Sequence, residues 1–139
     1  MRLSILAIVL VLFISTALQA QVITSTGAGG TWSSPASWVG GVVPTSGNST
    51  GITIVGPITV AAADYNSVTP LVIDQTTVNT GGSLTIDAGA QVNLAAGTGT
   101  DFTVAGTGTV AVNGTFVQIA GSTLTGMTAV NTAFNSGSV

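Results

Sequence analysis

The stretch Gly82–Asn113, GSLTIDAGAQVNLAAGTGTDFTVAGTGTVAVN, decides the fold because apolar pairs recur along it at a fixed step. Leu84/Ile86 returns at i+18 as Phe102/Val104, and Val92/Leu94 returns at the same step as Val110/Val112. A period of two places both apolar side chains of a pair on one face of a strand. Short strands that return in register predict an all-β, single-stranded parallel β-helix (β-solenoid) of about four short rungs.

The i+18 step sorts the predicted strands into two columns. The first column holds Ile52/Ile54, Leu71/Ile73, Leu84/Ile86, Phe102/Val104 and Leu124, and the second holds Ile58/Val60, Val78, Val92/Leu94, Val110/Val112 and Val130. Apolar residues at every sixth position also fit a left-handed coil, although Thr98 and Gly108 interrupt that pattern. The residues alone therefore leave the hand of the coil open.

The stretch 61–70, AAADYNSVTP, interrupts the columns and is predicted to be a loop leaving the body of the solenoid. Pro70 disfavours a helical conformation of the residue before it, and nothing in the stretch alternates. A short helix over residues 61–65 is the alternative. Tyr65 is the aromatic residue of this loop and a candidate ligand-binding residue.

Residues 1–20 predict a secretory signal peptide, with Arg2 before an apolar run and a small-residue ending at Ala20. The run is too short for a membrane-spanning helix, which needs roughly 20 apolar residues. We therefore expect a secreted or outer-surface protein with no membrane span after Ala20. Residues 21–50 are predicted to form an N-terminal cap segment, and residues 51–139 to form solenoid repeats that are truncated at the C-terminal end or continued by another stacked chain.

Charge is nearly absent from the chain after Ala20. Its only ionisable side chains are Asp64, Asp74, Asp87, Asp101 and Tyr65, and it contains no Lys, Arg, His, Glu or Cys. Nucleic-acid binding requires basic side chains on phosphates, so this function is excluded. The lack of cysteine excludes a disulfide framework.

Both tryptophans, Trp32 and Trp38, lie in a stretch of turns rich in Pro and Gly. They are interpreted as a cap over the first rung, since the terminal repeats of a solenoid must protect its core. The alternative is an aromatic platform that binds a sugar or another apolar ligand.

The order Gly-Thr-Trp-x5-Trp-x-Gly-Gly-x-Val-Pro over residues 30–44, followed by Ile52-Thr-Ile54 and Ile58-Thr-Val60, resembles the opening of the extracellular domain family named for its eight glycines. It is also similar to the starts of repetitive surface proteins secreted by Bacteroidetes-type bacteria. The resemblance runs from Gly30 into the repeats near Ile86. The resemblance implies an extracellular, right-handed β-helical module that binds ligands, without a known catalytic site. Such proteins usually carry an acidic residue before the first strand, where this chain has Gly47-Asn48-Ser49-Thr50.

Asp74 and Asp87 each follow the last apolar residue of a predicted first-column strand, so the two-column register places them on adjacent rungs. Two carboxylates one rung apart are candidate calcium ligands, or could share a proton as a hydrolytic pair, and calcium is the only cofactor that the residues suggest. The alternative is that each aspartate starts a turn by bonding its own backbone.

Catalysis is not predicted, because residues 21–139 contain no His, Cys, Lys or Arg to act as a base, nucleophile or electrophile. The predicted function is a non-catalytic secreted or cell-surface module with structural, adhesive or glycan-binding roles. Its expected partners are a glycan, a cell-surface component, or copies of itself stacked through the solenoid ends. The alternative is an accessory or truncated part of a carbohydrate-active β-helix enzyme whose active site lies outside this chain.

Overall fold

A computed structural model describes residues 20–127 and the backbone of residues 132–134 as a β-solenoid of about four turns. The predicted all-β, parallel β-helical class is confirmed, and the only helical segments described are 3₁₀ turns at Pro35–Ser37 and Val39–Gly41. The hand of the coil stays a prediction. The predicted signal peptide lies outside the described residues, apart from Ala20, and so does most of the chain after Met127.

The strands are short, as expected from apolar pairs separated by turn residues. In chain order they are β1 Gln21–Thr24, β2 Gly30–Thr31, β3 Ser49–Ile54, β4 Pro57–Val60, β5 Leu71–Ile73, β6 Thr76–Val78, β7 Ser83–Ile86, β8 Gln91–Leu94, β9 Phe102–Val104, β10 Thr109–Val112, β11 Thr115–Gln118, β12 Leu124–Thr125 and β13 Thr132–Phe134.

Three parallel sheets form the walls of the solenoid, and each complete turn contributes one strand to each wall. Sheet 1 has the order β1-β3-β6-β9-β12, sheet 2 the order β2-β4-β7-β10-β13, and sheet 3 the order β5-β8-β11. The chain passes from sheet 1 to sheet 2 to sheet 3 and then enters the next turn. We call the connection from sheet 2 to sheet 3 the 2–3 corner, and that from sheet 3 to the next strand of sheet 1 the 3–1 corner.

The predicted i+18 register is wrong. Leu84 lies opposite Ile58 and Val110, so the step between stacked positions of sheet 2 is i+26 on either side of it. Phe102, the predicted partner of Leu84, belongs to sheet 1 and pairs with Thr76. The two-column assignment therefore mixes strands from different walls.

Three similar strands in every turn explain this error. Each strand presents an apolar-x-apolar pair to the interior, so the pattern repeats at every strand and does not identify the sheet. The step from Leu84 to Phe102 runs from sheet 2 of one turn to sheet 1 of the next. The count of about four turns is still correct because the coil starts at β1, well before Ile52, where the predicted columns begin.

The core is a continuous column of aliphatic and aromatic side chains inside the three walls. Most inward positions are completely buried, and stacked neighbours are alike, as in the Val60, Ile86 and Val112 row of sheet 2. Phe102 packs edge-on against Phe116 with ring centroids 5.3 Å apart. Burial of this kind contributes roughly 1.5 to 3 kcal/mol per large side chain, which offsets the cost of ordering many glycines.

The first turn is built differently from those that follow. Strands β1 and β2 join sheets 1 and 2, but residues 32–48 run as turns where a strand of sheet 3 would lie. The segment predicted as a cap thus also supplies two strands of the solenoid. Residues 61–70 form a loop at the 2–3 corner, as predicted. The alternative, a short helix over residues 61–65, is not formed; this stretch is a single turn in which the Tyr65 N–H donates to the Ala61 carbonyl at 3.0 Å.

Candidate functional site

A ladder of five threonines runs along the outer face of sheet 1. Each occupies an outward position of its strand, and parallel pairing stacks them directly: Thr24 on Thr53, Thr53 on Thr77, Thr77 on Thr103, and Thr103 on Thr125. Adjacent strands of a sheet lie about 4.8 Å apart, so the ladder repeats at that spacing. We call these five residues the threonine ladder.

The threonine ladder is accessible and uncharged. Four of its members are half-buried and Thr125 is exposed. The hydroxyls of Thr103 and Thr125 lie 3.2 Å apart, within hydrogen-bonding distance of each other. Threonine side chains have few rotamers because they are β-branched, so the hydroxyls form an ordered row. Such a row can donate to and accept from a repeating, neutral, hydroxyl-bearing ligand.

Sheet 2 carries a shorter version of this arrangement. Thr31 stacks on Thr59 and Thr59 on Thr85, but the next outward residue is Ala111. Sheet 3 has no threonine row among the described residues, since Val72, Asn93 and Val117 stack there. The longest regular polar surface in the described part of the chain is therefore the face of sheet 1.

Neither tryptophan offers a ring face to a ligand. Trp32 and Trp38 are 0% and 2% exposed, and they pack edge to face with centroids 4.9 Å apart. The indole N–H of Trp32 donates to the Pro44 carbonyl at 3.1 Å, and that of Trp38 to the Trp32 carbonyl at 2.7 Å. Since both polar groups are satisfied internally, the aromatic-platform interpretation does not fit the geometry, and the capping role stays a prediction.

Tyr65 lies in the 61–70 loop and packs partly against the core. Burial, followed by the nearby negative charge of Asp64, raises the pKa of its phenol. The phenol is therefore neutral at physiological pH. Asp64 accepts a hydrogen bond from the Ser33 hydroxyl at 2.6 Å, which ties this loop to the first turn.

The structure does not bring Asp74 and Asp87 together. Asp87 begins the turn at the 2–3 corner, where its peptide carbonyl accepts the Ala90 N–H at 2.9 Å. Asp74 follows β5 at the 3–1 corner, and its carboxyl group lies beside Gly97 together with that of Asp101. The sequence prediction that paired Asp74 with Asp87 is corrected to Asp74 with Asp101, because a complete turn of the solenoid is longer than the i+18 step.

Asp101 is anchored and fully buried. Its Oδ2 accepts the backbone N–H of Thr123 at 2.6 Å and the hydroxyl of the same residue at 3.2 Å. The pKa of the Asp101 carboxyl is lowered, chiefly by the Thr123 N–H. Burial acts against this shift, whereas the nearby Gly97 N–H also lowers the pKa. Burial, and then the neighbouring Asp101 carboxyl, raise the pKa of Asp74.

Sequence reasoning missed both the threonine ladder and Asp101. The signal for the ladder is the threonine at the centre of apolar-Thr-apolar triplets such as Ile52-Thr53-Ile54 and Phe102-Thr103-Val104. The more conspicuous Thr-x-Thr pairs, Thr98/Thr100 and Thr107/Thr109, lie in or beside turns. Asp101 directly precedes a strand, whereas the predicted calcium ligands are aspartates that follow one.

Within the described residues, no helix is long and apolar enough to cross a membrane, and no three His, Cys, Asp or Glu side chains come together. Comparison with known proteins gave no family model, no curated protein and no solved structure that matches this chain. The resemblance of residues 30–44 to the eight-glycine family therefore stays a prediction.

Proposed function

We propose that this chain is a non-catalytic secreted or cell-surface module that binds a neutral glycan along the threonine ladder. The observation that carries the proposal is the ladder itself, five stacked threonines on one wall with a fixed repeat. A polysaccharide is a repeating row of hydroxyls, and a row of hydroxyls is its natural hydrogen-bonding complement. Weak individual bonds add along such a row when the sites are rigidly spaced.

The absence of charge supports a neutral ligand. No Lys, Arg or His occurs after Arg2, so a uronate, phosphate or sulfate would find no cationic side chain on the solenoid. A carboxylate-rich polymer would also be repelled by the four aspartates. The same composition supports a binding role over lyase or acyl-transfer chemistry, since residues 21–139 contain no His, Cys, Lys or Arg to act as a base or nucleophile.

Rigidity of the wall also supports the proposal. The inward neighbours of the ladder residues are buried core side chains such as Ile52, Ile54 and Val78, which hold the strands in place. Rigid presentation reduces the entropy lost when a ligand binds.

The test is retention of the full chain on insoluble neutral polysaccharides, with cellulose, chitin and an insoluble mixed β-glucan as the probes. Thr77→Val with Thr103→Val removes two ladder hydroxyls while keeping β-branched side chains suited to strands. We expect binding to at least one probe, weakened roughly tenfold by this double variant, since each lost hydrogen bond is worth about 0.5 to 1.5 kcal/mol.

The matched control is Thr59→Val with Thr85→Val, which removes two hydroxyls from the shorter row on sheet 2 and is expected to bind as the parent does. Equal loss in both double variants would contradict the assignment to sheet 1. Retention on none of the probes would contradict glycan binding. Inhibition of ice recrystallisation without polysaccharide binding would assign the ladder to ordered water and overturn the proposal.

A further inference from the structure

The 3–1 corner holds a buried carboxyl group, and no basic side chain occurs among residues 21–139 to serve as its counterion. Asp101 is 0% exposed, and its second oxygen, Oδ1, has no well-formed hydrogen bond from any described group, although the Gly97 N–H lies nearby. Residues 21–139 contain no basic side chain that could neutralise it. A buried carboxylate without a partner is costly, so this oxygen requires a proton or a cation from outside the chain.

A second carboxylate faces the same point. Asp74 lies one turn before Asp101, at the same corner, and the carboxyl groups of both residues lie beside Gly97. One Asp74 oxygen, Oδ1, already accepts the N–H of Gln75 at 2.8 Å. Two ionised carboxylates have no hydrogen to share, so their approach creates repulsion unless something positive lies between them.

Gly97 leaves a cradle between the two carboxylates. A Cβ placed on this glycine would lie 2.9 and 3.1 Å from the two oxygens of Asp74 and 3.0 Å from Oδ1 of Asp101. Three carboxylate oxygens thus lie close together beside the Cα of Gly97, and the unpartnered Oδ1 is among them. The backbone of Gly97 is not left-handed, so glycine is needed here for space and not for conformation.

We propose that the Asp74–Asp101 cradle is a calcium site. Calcium takes six to eight oxygen ligands in flexible geometry and is bound by carboxylates, backbone carbonyls and water. Two carboxylates supply the charge, and the half-buried Asp74 at the edge of the corner admits water to complete the shell. Zinc is disfavoured because residues 21–139 offer no Cys or His, and magnesium demands a stricter octahedral arrangement than two carboxylates on separate turns provide.

Such a site would tie consecutive turns of the solenoid to each other. Asp74 lies just before β6 and Asp101 just before β9, the next strand of sheet 1. The main-chain carbonyl of Asp101 already accepts the Thr76 N–H at 2.9 Å, and the cation would add a second link between the same two turns. Its affinity is expected to be that of extracellular modules, with a dissociation constant on the order of 10⁻⁴ to 10⁻³ M.

The experiment is calcium titration of the full chain after removal of metal with EDTA, followed by calorimetry and by thermal unfolding at constant ionic strength. We expect saturable heat and a melting temperature several degrees higher at saturating calcium. Asp74→Asn should abolish both responses. Without calcium this variant should be at least as stable as the parent, because its amide can donate to the unpartnered oxygen of Asp101.

Asp87→Asn is the matched control, with the same chemical change at the 2–3 corner, and it should keep both responses. Gly97→Ala is a second variant that fills the cradle with a methyl group and should lose calcium binding without removing a carboxylate. The proposal is overturned if the parent gives no saturable heat, if Asp74→Asn still responds, or if magnesium at equal concentration produces the same stabilisation.

Discussion

The 2–3 and 3–1 corners both set an aspartate beside a glycine, yet the two glycines face different groups. At the 2–3 corner, a side chain on Gly114 would run into the backbone carbonyl oxygens of Asp87 and Ala90. At the 3–1 corner, a side chain on Gly97 would meet the carboxylates of Asp74 and Asp101. The first glycine accommodates the main chain of the adjacent turn, whereas the second leaves room beside charged side chains.

This difference separates a structural corner from a candidate binding corner. The turn at Asp87 is closed by backbone groups, and the Asn113 N–H donates to the Ile86 carbonyl at 2.8 Å to hold the next turn against it. The 3–1 corner depends on side chains, because the Asp101 carboxylate accepts both donors of Thr123 from the next turn. Aspartates that look alike in sequence therefore have different roles according to what the adjacent turn places against them.

The largest expected effect is at the structural corner. Gly114→Ala should destabilise the protein by about 3 kcal/mol, because its methyl group meets rigid carbonyls that cannot rotate away. Denaturant-induced unfolding measures this loss. Gly27→Ala is the control, since a Cβ there has nothing within 4 Å and the backbone is not left-handed, so it should be neutral or slightly stabilising. Equal losses in the two variants would show that close packing does not explain Gly114.

A smaller effect on the melting temperature should distinguish Asp101 from Asp87. Asp101→Ala removes the acceptor of the Thr123 N–H and leaves that donor unsatisfied, so the melting temperature should fall by several degrees. Asp87→Ala should lower it less, because the backbone bonds that close its turn are retained. Thermal unfolding of both variants in EDTA makes the comparison. A larger loss at Asp87 would reverse the distinction between the corners.

The fold could be predicted because a strand leaves a local signal. Apolar residues at a period of two mark the inward positions whatever the strand pairs with, and the predicted strands at Leu84/Ile86 and Val110/Val112 are both present. The register could not be read in the same way. It depends on the length of each corner, and the 61–70 loop and the 95–101 turn set those lengths without any repeating pattern.

The candidate sites were less predictable because each needs the correct register. Thr77 stacks on Thr53 at a step of i+24, whereas Thr103 stacks on Thr77 at i+26, so no fixed step connects the ladder. Asp74 and Asp101 are likewise brought together only by a complete turn. The burial of Trp32 and Trp38 agrees with the preference given to packing over ligand binding, since large aromatic side chains contribute most to stability when enclosed.

The smallest expected effect is a pH dependence of the melting temperature that arises from the 3–1 corner when calcium is absent. The pKa of Asp74 is raised above its ordinary value of 3.8 by burial and by the neighbouring Asp101 carboxyl. Just above pH 3.8 the folded protein therefore still holds a proton that the unfolded chain has released, and this retained proton stabilises the folded state. The stabilisation is lost as the pH rises through the raised pKa of Asp74.

Asp101 does not oppose this trend above its ordinary pKa of 3.8. Its pKa is lowered, chiefly by the Thr123 N–H, so its contribution to stability is already complete once the pH exceeds the unfolded value. Thermal unfolding in EDTA should give a melting temperature that declines by a few degrees at most as the pH rises from about 4 toward neutrality, since Asp74 is partly solvated. Asp74→Asn should remove that decline and Asp87→Asn should retain it. A decline that persists in Asp74→Asn would show that the two carboxyl groups do not share a proton, and the corner would then differ from the 2–3 corner in packing alone.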